Sequence, residues 1–424
     1  MNEKRRARRL RVFNAIRKTP PEPLAPPDAH DQAEVAAMLR AIGIALVEVE
    51  QPTQLVEGRL LQIAAQYTTE PVRVVVLPTM LMIQVGNVGY EVDGSTHASL
   101  QLDMAGRIDD IASLAAVGAI TPADAVAAIE AARTLRPRFG PVLTTIGYAI
   151  TTVGFGMVIN PTWASLPGYL FLGLVVGGIV QLGRPFPGLN PMLPTLSATI
   201  VTALATWFVA DTAHDGLLRV IAPPLVATLP GMALTIGAME LAASQIISGS
   251  SRLVYGMAQL ALLVFGVALG VQIAGEVYPQ SPSAQMGGWS LYVAIVVVAI
   301  GLNIYLSAPR RSLPWIIAAI AVALVGQSLA GTVMSAAHSG FVGAILVVPF
   351  SMVAARVKTA PSAIVMMLSA FWSLVPGALS FESVSQAASG GNIGVSSLGA
   401  TGAAILSIAL GTVVGWSVFH TIDA

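Results

Sequence analysis

The sequence contains no cysteine in 424 residues and little charge, with Lys, Arg, Asp and Glu together making up 10% of it. Without cysteine there can be no disulfide, Cys-ligated zinc site, iron–sulfur cluster or thiol nucleophile. Soluble proteins carry about 25% charge, so this depletion, with a mean hydropathy of +0.75, argues against an all-soluble chain. Lys and Arg (22) balance Asp and Glu (22), which removes the basic excess a nucleic-acid binder needs. GxSxG, HExxH and phosphate-loop motifs are missing too, so no enzyme signature and no ATP site for primary transport is present. No catalytic residue, metal or cofactor is expected. By length alone the chain is two or three domains.

What charge exists is unevenly placed. Residues 1–138 hold 15 basic and 16 acidic side chains, and residues 139–424 hold only 7 and 6. The apolar runs of that second part are long enough for the roughly 20 helical residues that cross a bilayer core. They read as ten spans: 141–159, 165–183, 193–211, 217–250, 253–275, 289–307, 312–331, 338–356, 361–388 and 395–419. Basic residues favour cytoplasmic loops, and here they mark every second loop, with Arg219 the only permanent cation at the alternate loops and their edges. Arg133, Arg136 and Arg138 precede the first span; Arg184, Arg252, Arg310 with Arg311, and Arg356 with Lys358 follow the second, fourth, sixth and eighth. Both termini are therefore expected in the cytoplasm.

The first 30 residues combine a basic cluster at Lys4–Arg9 with Pro20, Pro21, Pro23, Pro26 and Pro27. They read as a disordered tail and an extended linker, without the apolar stretch of a signal peptide. From Asp31 to Arg138 the pattern is that of a small cytoplasmic α/β domain. Val35, Met38, Leu39, Ile42 and Leu46 recur at helical spacing, as do Val56, Leu60, Ile63 and Tyr67. Strands are expected at 72–77, 80–85 and 97–102, with Gly86 to Gly89 as a turn. Helices follow from Ile108 and from Thr121, which caps a helix with Pro122 at its first position. Glu91, Asp93, His97 and Asp103 lie close in sequence, but a surface or structural role suits them better than acid–base chemistry.

The membrane part repeats. Leu229-Pro230-Gly231 has a counterpart 146 residues on in Val375-Pro376-Gly377, and the same offset pairs residues 197–210 with 343–356. The halves, 139–279 and 280–424, thus hold five spans each, and an odd number inverts the second copy. Proline removes a backbone donor and glycine frees the backbone, so Pro230-Gly231 and Pro376-Gly377 should break their helices inside the bilayer. Matching breaks in inverted halves point to a substrate site near the midplane. Of the few acidic groups, Glu382 lies at depth, Glu240 lies ten residues beyond its break and near the interface, and Asp211 ends the third span. All three are proton-coupling candidates. Asn392 could line the substrate cavity, whereas the glycines of 173–178 suit helix packing.

Leu229-Pro230-Gly231, Glu240-Leu241-Ala242 and Ile247-Ser248-Gly249-Ser250-Ser251-Arg252-Leu253 together resemble the threonine/serine exporter family. The likeness extends from about residue 31 through nearly the whole chain, departing at Glu50-Gln51-Pro52. The resemblance implies a secondary transporter in the cytoplasmic membrane of a prokaryote. Its partners would be an amino-acid substrate (threonine or serine) and protons, with the proton motive force driving export. A homo-oligomer is compatible with it. Split relatives imply dicarboxylate export as an alternative. A membrane-anchored enzyme, with residues 31–138 catalytic, is a more distant one.

Overall fold

The computed structural model describes residues 17–18, 21–93, 100–209, 216–275, 283–374 and 395–423. By its contacts the chain divides into two compact units. One comprises residues 1–136, 309–315 and 349–367, and the other comprises 137–308, 316–348 and 368–424.

The first unit is built on α1 (Gln32–Glu48) and α2 (Thr53–Tyr67), which bury the apolar stripes read from the sequence. Val35, Met38, Leu39, Ile42, Leu46, Val56, Leu60 and Ile63 are all fully buried. A three-stranded antiparallel meander follows: β1 (Val72–Val76), β2 (Met80–Val85) and β3 (Val88–Asp93), in the order β1-β2-β3. The β2–β3 turn is only Gly86-Asn87, with Gly86 at φ +54°, so Val88 and Gly89 belong to a strand instead of the turn. Of the strand expected at 97–102, residues 97–99 lie outside the described residues and Leu102 opens α3 (Leu102–Ala115). Helix α4 (Pro122–Arg133) starts as expected, with the Thr121 hydroxyl accepting from the Asp124 N–H at 3.2 Å.

Two ion pairs tie these helices together. Arg59 on α2 donates to the Asp109 carboxylate at 2.5 Å, to the Asp109 carbonyl at 3.0 Å and to the Ser113 hydroxyl at 2.7 Å, all on α3. Arg133 on α4 grips both oxygens of Glu48 on α1, at 2.6 and 2.8 Å. The Arg133–Glu48 pair is bidentate, the strong class of charge-assisted bond. Asp28 is held below its ordinary carboxyl value by the Thr69 hydroxyl and then by the Thr69 N–H.

The second unit is almost wholly helical. Its elements, some of which run on into the first unit, begin with α5 (Pro141–Ile159), α6 (Leu166–Gly183), a 3-10 turn at Pro187–Met192 and α7 (Leu193–Phe208). Then come α8 (Leu217–Leu225), a 3-10 turn at Val226–Thr228, α9 (Gly231–Ala242) and the 29-residue α10 (Ile246–Ala274). The rest is α11 (Ser290–Tyr305), α12 (Leu313–Ala330), α13 (Ala336–Ala354), α14 (Ala363–Leu374) and α15 (Val395–Asp423). Among the described residues seven helices are long and apolar enough to cross a membrane, or eight if the bent pair 217–228 and 231–242 is one span. The chain is a multi-pass membrane protein. The expected sixth span is the 16-residue α11, and the ninth is the 12-residue α14, whose expected continuation lies outside the described residues.

One boundary differs from expectation. The fourth and fifth spans do not meet at Arg252. Helix α9 ends at Ala242 and α10 starts at Ile246, which puts Arg252 inside a helix. The turn is a Schellman closure, in which the Gln245 N–H donates to the Glu240 carbonyl at 2.8 Å and the Ser244 N–H to that of Leu241 at 3.0 Å. Ser244 takes the left-handed position at φ +65°, which usually falls to glycine.

Close approach of backbones organises the membrane helices, as expected where lipid supplies no hydrophobic drive between them. A Cβ on Gly301 of α11 would sit 2.5 Å from the Thr151 nitrogen of α5, and one on Gly154 would sit 2.8 Å from the Val298 nitrogen. Gly266 and Gly270 of α10 abut the Thr195 and Thr199 carbonyls of α7, while Gly411 and Gly415 of α15 abut the Phe341 and Ile345 carbonyls of α13.

Candidate transport site

The expected break is present. Helices α8 and α9 meet at 66°, with Leu229 extended and Pro230 at φ −78°, ψ 35°. Proline supplies no donor there, and α9 starts afresh when the Leu234 N–H donates to the Pro230 carbonyl at 3.0 Å. Pro230 and Gly231 are both buried. Pro223 and Pro224, seven and six residues earlier, withhold the donors that the Arg219 and Val220 carbonyls would take, and where the helix ends at Leu225 side chains serve its last carbonyls. Tyr148 of α5 donates its hydroxyl to the Pro224 carbonyl at 2.8 Å, and the Thr228 hydroxyl donates to the Leu225 carbonyl at 2.7 Å.

Tyr148 was not singled out by the sequence, because nothing local marks a tyrosine that serves a carbonyl 76 residues away. It is 2% exposed. Its ring stands edge-on to Tyr305 with centroids 5.0 Å apart, and Tyr305 in turn packs on Trp372 of α14 at 6.2 Å. Tyr148→Phe keeps this packing and strands a buried carbonyl, so it should cost about 1–3 kcal/mol. Thermal unfolding of the purified variant in detergent checks this, and an unchanged midpoint would contradict it. Thr235, one turn into α9, is a second feature the sequence did not flag. It is 7% exposed, and its hydroxyl has no hydrogen-bond partner among the described residues.

Glu240, expected near an interface, lies in the last turn of α9 and is walled in by protein. Its side chain is fully buried, and a carboxylate oxygen lies 3.3 Å from Nε of Arg252, itself 10% exposed. Two glycines make the meeting feasible. A Cβ on Gly249 would lie 2.7 Å from the Gly237 carbonyl oxygen, so α9 and α10 pack backbone to backbone one turn from the pair. On its other side α9 packs Leu234, Ala238 and Met239 against Ile405 and Ala409 of α15. Ten residues separate Glu240 from Pro230, and a helical rise of about 1.5 Å per residue makes that roughly 15 Å. Asp211, Pro376, Gly377, Glu382 and Asn392 lie outside the described residues.

The break, the glycine crossing and the ion pair thus all fall in the run from Leu229 to Leu253. The sequence profile of the threonine/serine exporter family matches residues 37–274, more than half of the chain. The protein belongs to the threonine/serine exporter family. No curated protein and no solved structure matches the chain. The family match begins inside α1 and runs to the end of α10, and therefore includes Tyr148, Pro230, Gly231, Glu240 and Arg252, whereas Pro376, Glu382 and Asn392 fall beyond it.

Proposed function

We propose that the protein is a secondary transporter that exports threonine and serine across the cytoplasmic membrane of a prokaryote, driven by the proton motive force. The observation that carries the reading is the broken span at Pro230-Gly231 in a chain of the exporter family. A break inside the membrane is tolerated where it lines a cavity or is buried in protein, and half-helix ends there present partial charges to a polar substrate. Pro230 and Gly231, with Pro376, Gly377 and Asn392 in the second half, shape the substrate path. Glu240, Glu382 and Asp211 are the candidates for proton coupling. Break and carboxylate are stations of one path, since roughly 15 Å at about 1.5 Å per residue exceeds the length of a small amino acid.

The architecture in this reading is ten spans in two inverted halves, 139–279 and 280–424, after a cytoplasmic α/β domain at 31–138. Recurring contacts support the duplication: Gly266 on Thr195 and Gly270 on Thr199 return as Gly411 on Phe341 and Gly415 on Ile345, displaced by 145 or 146 residues. The antiparallel crossing of α5 with α11 supports the inversion. Gly154 lies against Val298 and Gly301 against Thr151, which is nearly one contact exchanged between halves. With Arg252 withdrawn into a helix, the arginines and lysine flanking the other spans still favour cytoplasmic termini.

Proteoliposomes loaded with labelled L-threonine test the export reading. An imposed proton gradient should drive threonine and serine out, and no flux above protein-free vesicles would sink the claim. Succinate in the same assay distinguishes a dicarboxylate exporter.

A further inference from the structure

Among the described residues of the membrane helices, Glu240 and Arg252 are the two charged side chains buried by nine-tenths or more. Packing alone does not call for them, because well-packed apolar residues serve a helix crossing as well as or better than a buried ion pair. The duplication does not call for them either. The residue 146 positions beyond Glu240 is Gln386, and the one 145 beyond Arg252 is Ser397, both uncharged.

We infer that the Glu240–Arg252 pair is the subsite that recognises the charged head of a zwitterionic amino acid, with Arg252 taking the carboxylate and Glu240 the ammonium. The inference rests on the export reading and names the substrate class. A zwitterion carries the same two charges as the pair and no net charge. It can therefore replace one 3.3 Å contact by two, leaving each buried ion with an opposite partner and the total charge of the site unchanged. A dicarboxylate satisfies Arg252 but sets a second negative charge against Glu240, a repulsion that disfavours it.

Proton coupling follows from the same arrangement. Glu240 can be neutralised by an ammonium or by a proton, and one occupant excludes the other, which is the requirement for exchange of substrate against protons. Arg252 is the charged group facing Glu240 from α10, α9 has no other titratable residue, and α15, packed on α9 through Ile405 and Ala409, has none from Val395 to Phe419.

The test is binding to the full-length protein in nanodiscs. L-Threonine should bind, while N-acetyl-L-threonine, L-threonine methyl ester and succinate should bind at least about tenfold more weakly, each having lost or reversed a charge-assisted contact. The double variant Glu240→Gln, Arg252→Gln keeps the pair's net charge at zero and should lose threonine binding while retaining its helical circular dichroism. Equal binding of threonine and its N-acetyl derivative, or wild-type affinity in the double variant, would overturn the subsite. The ligand series on the unmodified protein decides the matter even if the variant does not fold. Charge-selective threonine binding without flux in proteoliposomes would uphold the subsite and remove the export reading, and flux with charge-blind binding would do the reverse.

Discussion

Arg252→Gln should destabilise the folded protein by about 3–5 kcal/mol, and Glu240→Gln by a comparable amount, whereas the double variant should recover most of the loss. The asymmetry comes from what each change leaves behind. With Arg252 gone, the Glu240 carboxylate stays in a fully buried position, and its helix cannot tilt outward because Gly237 and Gly249 hold α9 against α10 backbone to backbone. Removing both charges leaves two amides of similar volume that can bond to each other. A double-mutant cycle isolates the coupling, since the residues touch and their single effects cannot be additive. Unfolding by a denaturing detergent in mixed micelles, followed by helical circular dichroism, supplies the free energies. If both single variants stayed within about 0.5 kcal/mol of the parent, as exposed substitutions do, the charges would have to be reaching water.

The same pair shows where the sequence was readable and where it was not. Helices α1 and α2 were legible because a 3.6-residue period of Val, Met, Leu and Ile has one physical meaning in a charged segment. The break at Pro230 was legible because a missing donor acts locally. The family was legible from Pro230-Gly231, Glu240 and Arg252 as a linear run. The partnership of Glu240 with Arg252 was not, and the reason lies in Ala243-Ser244-Gln245. That turn has no glycine, proline or charge to announce it, and a serine takes the left-handed position. The same device ends α1 at Glu50, φ +61°, and α11 at Ser307, φ +48°. With the turn hidden, an arginine inside a helix resembled a loop cation, and a buried carboxylate resembled an interfacial one. Strand β3 was missed for a related reason: Val88-Gly89 continues a glycine-rich stretch, and only the pairing of Val85 with Val88 shows the turn to be two residues long.

Gly301→Val should prevent recovery of folded protein, and Gly154→Val should come close to it. Side chains can swing away from an added methyl group, but here the obstacle is main chain: the Thr151 nitrogen at 2.5 Å from a Cβ on Gly301, and the Val298 nitrogen at 2.8 Å from one on Gly154. Relief requires α5 and α11 to separate along their length, since Gly147 meets the Tyr305 nitrogen at 2.8 Å in the same crossing. Overpacking a core costs about 1–3 kcal/mol when side chains can adjust, so a clash with backbone in a crossing of this length should exceed that range. The control is Gly178→Ala on α6, where nothing lies within 4 Å of the new atom. It should be neutral, or stabilising by up to about 1 kcal/mol through helix propensity. Yield of monodisperse protein and the midpoint of thermal unfolding measure all three variants. If α5 and α11 join the two halves across their internal axis, the valine variants should lose both halves in one cooperative step. Limited proteolysis should then find no surviving fragment of either half, whereas a protected half would mean that each folds without this crossing.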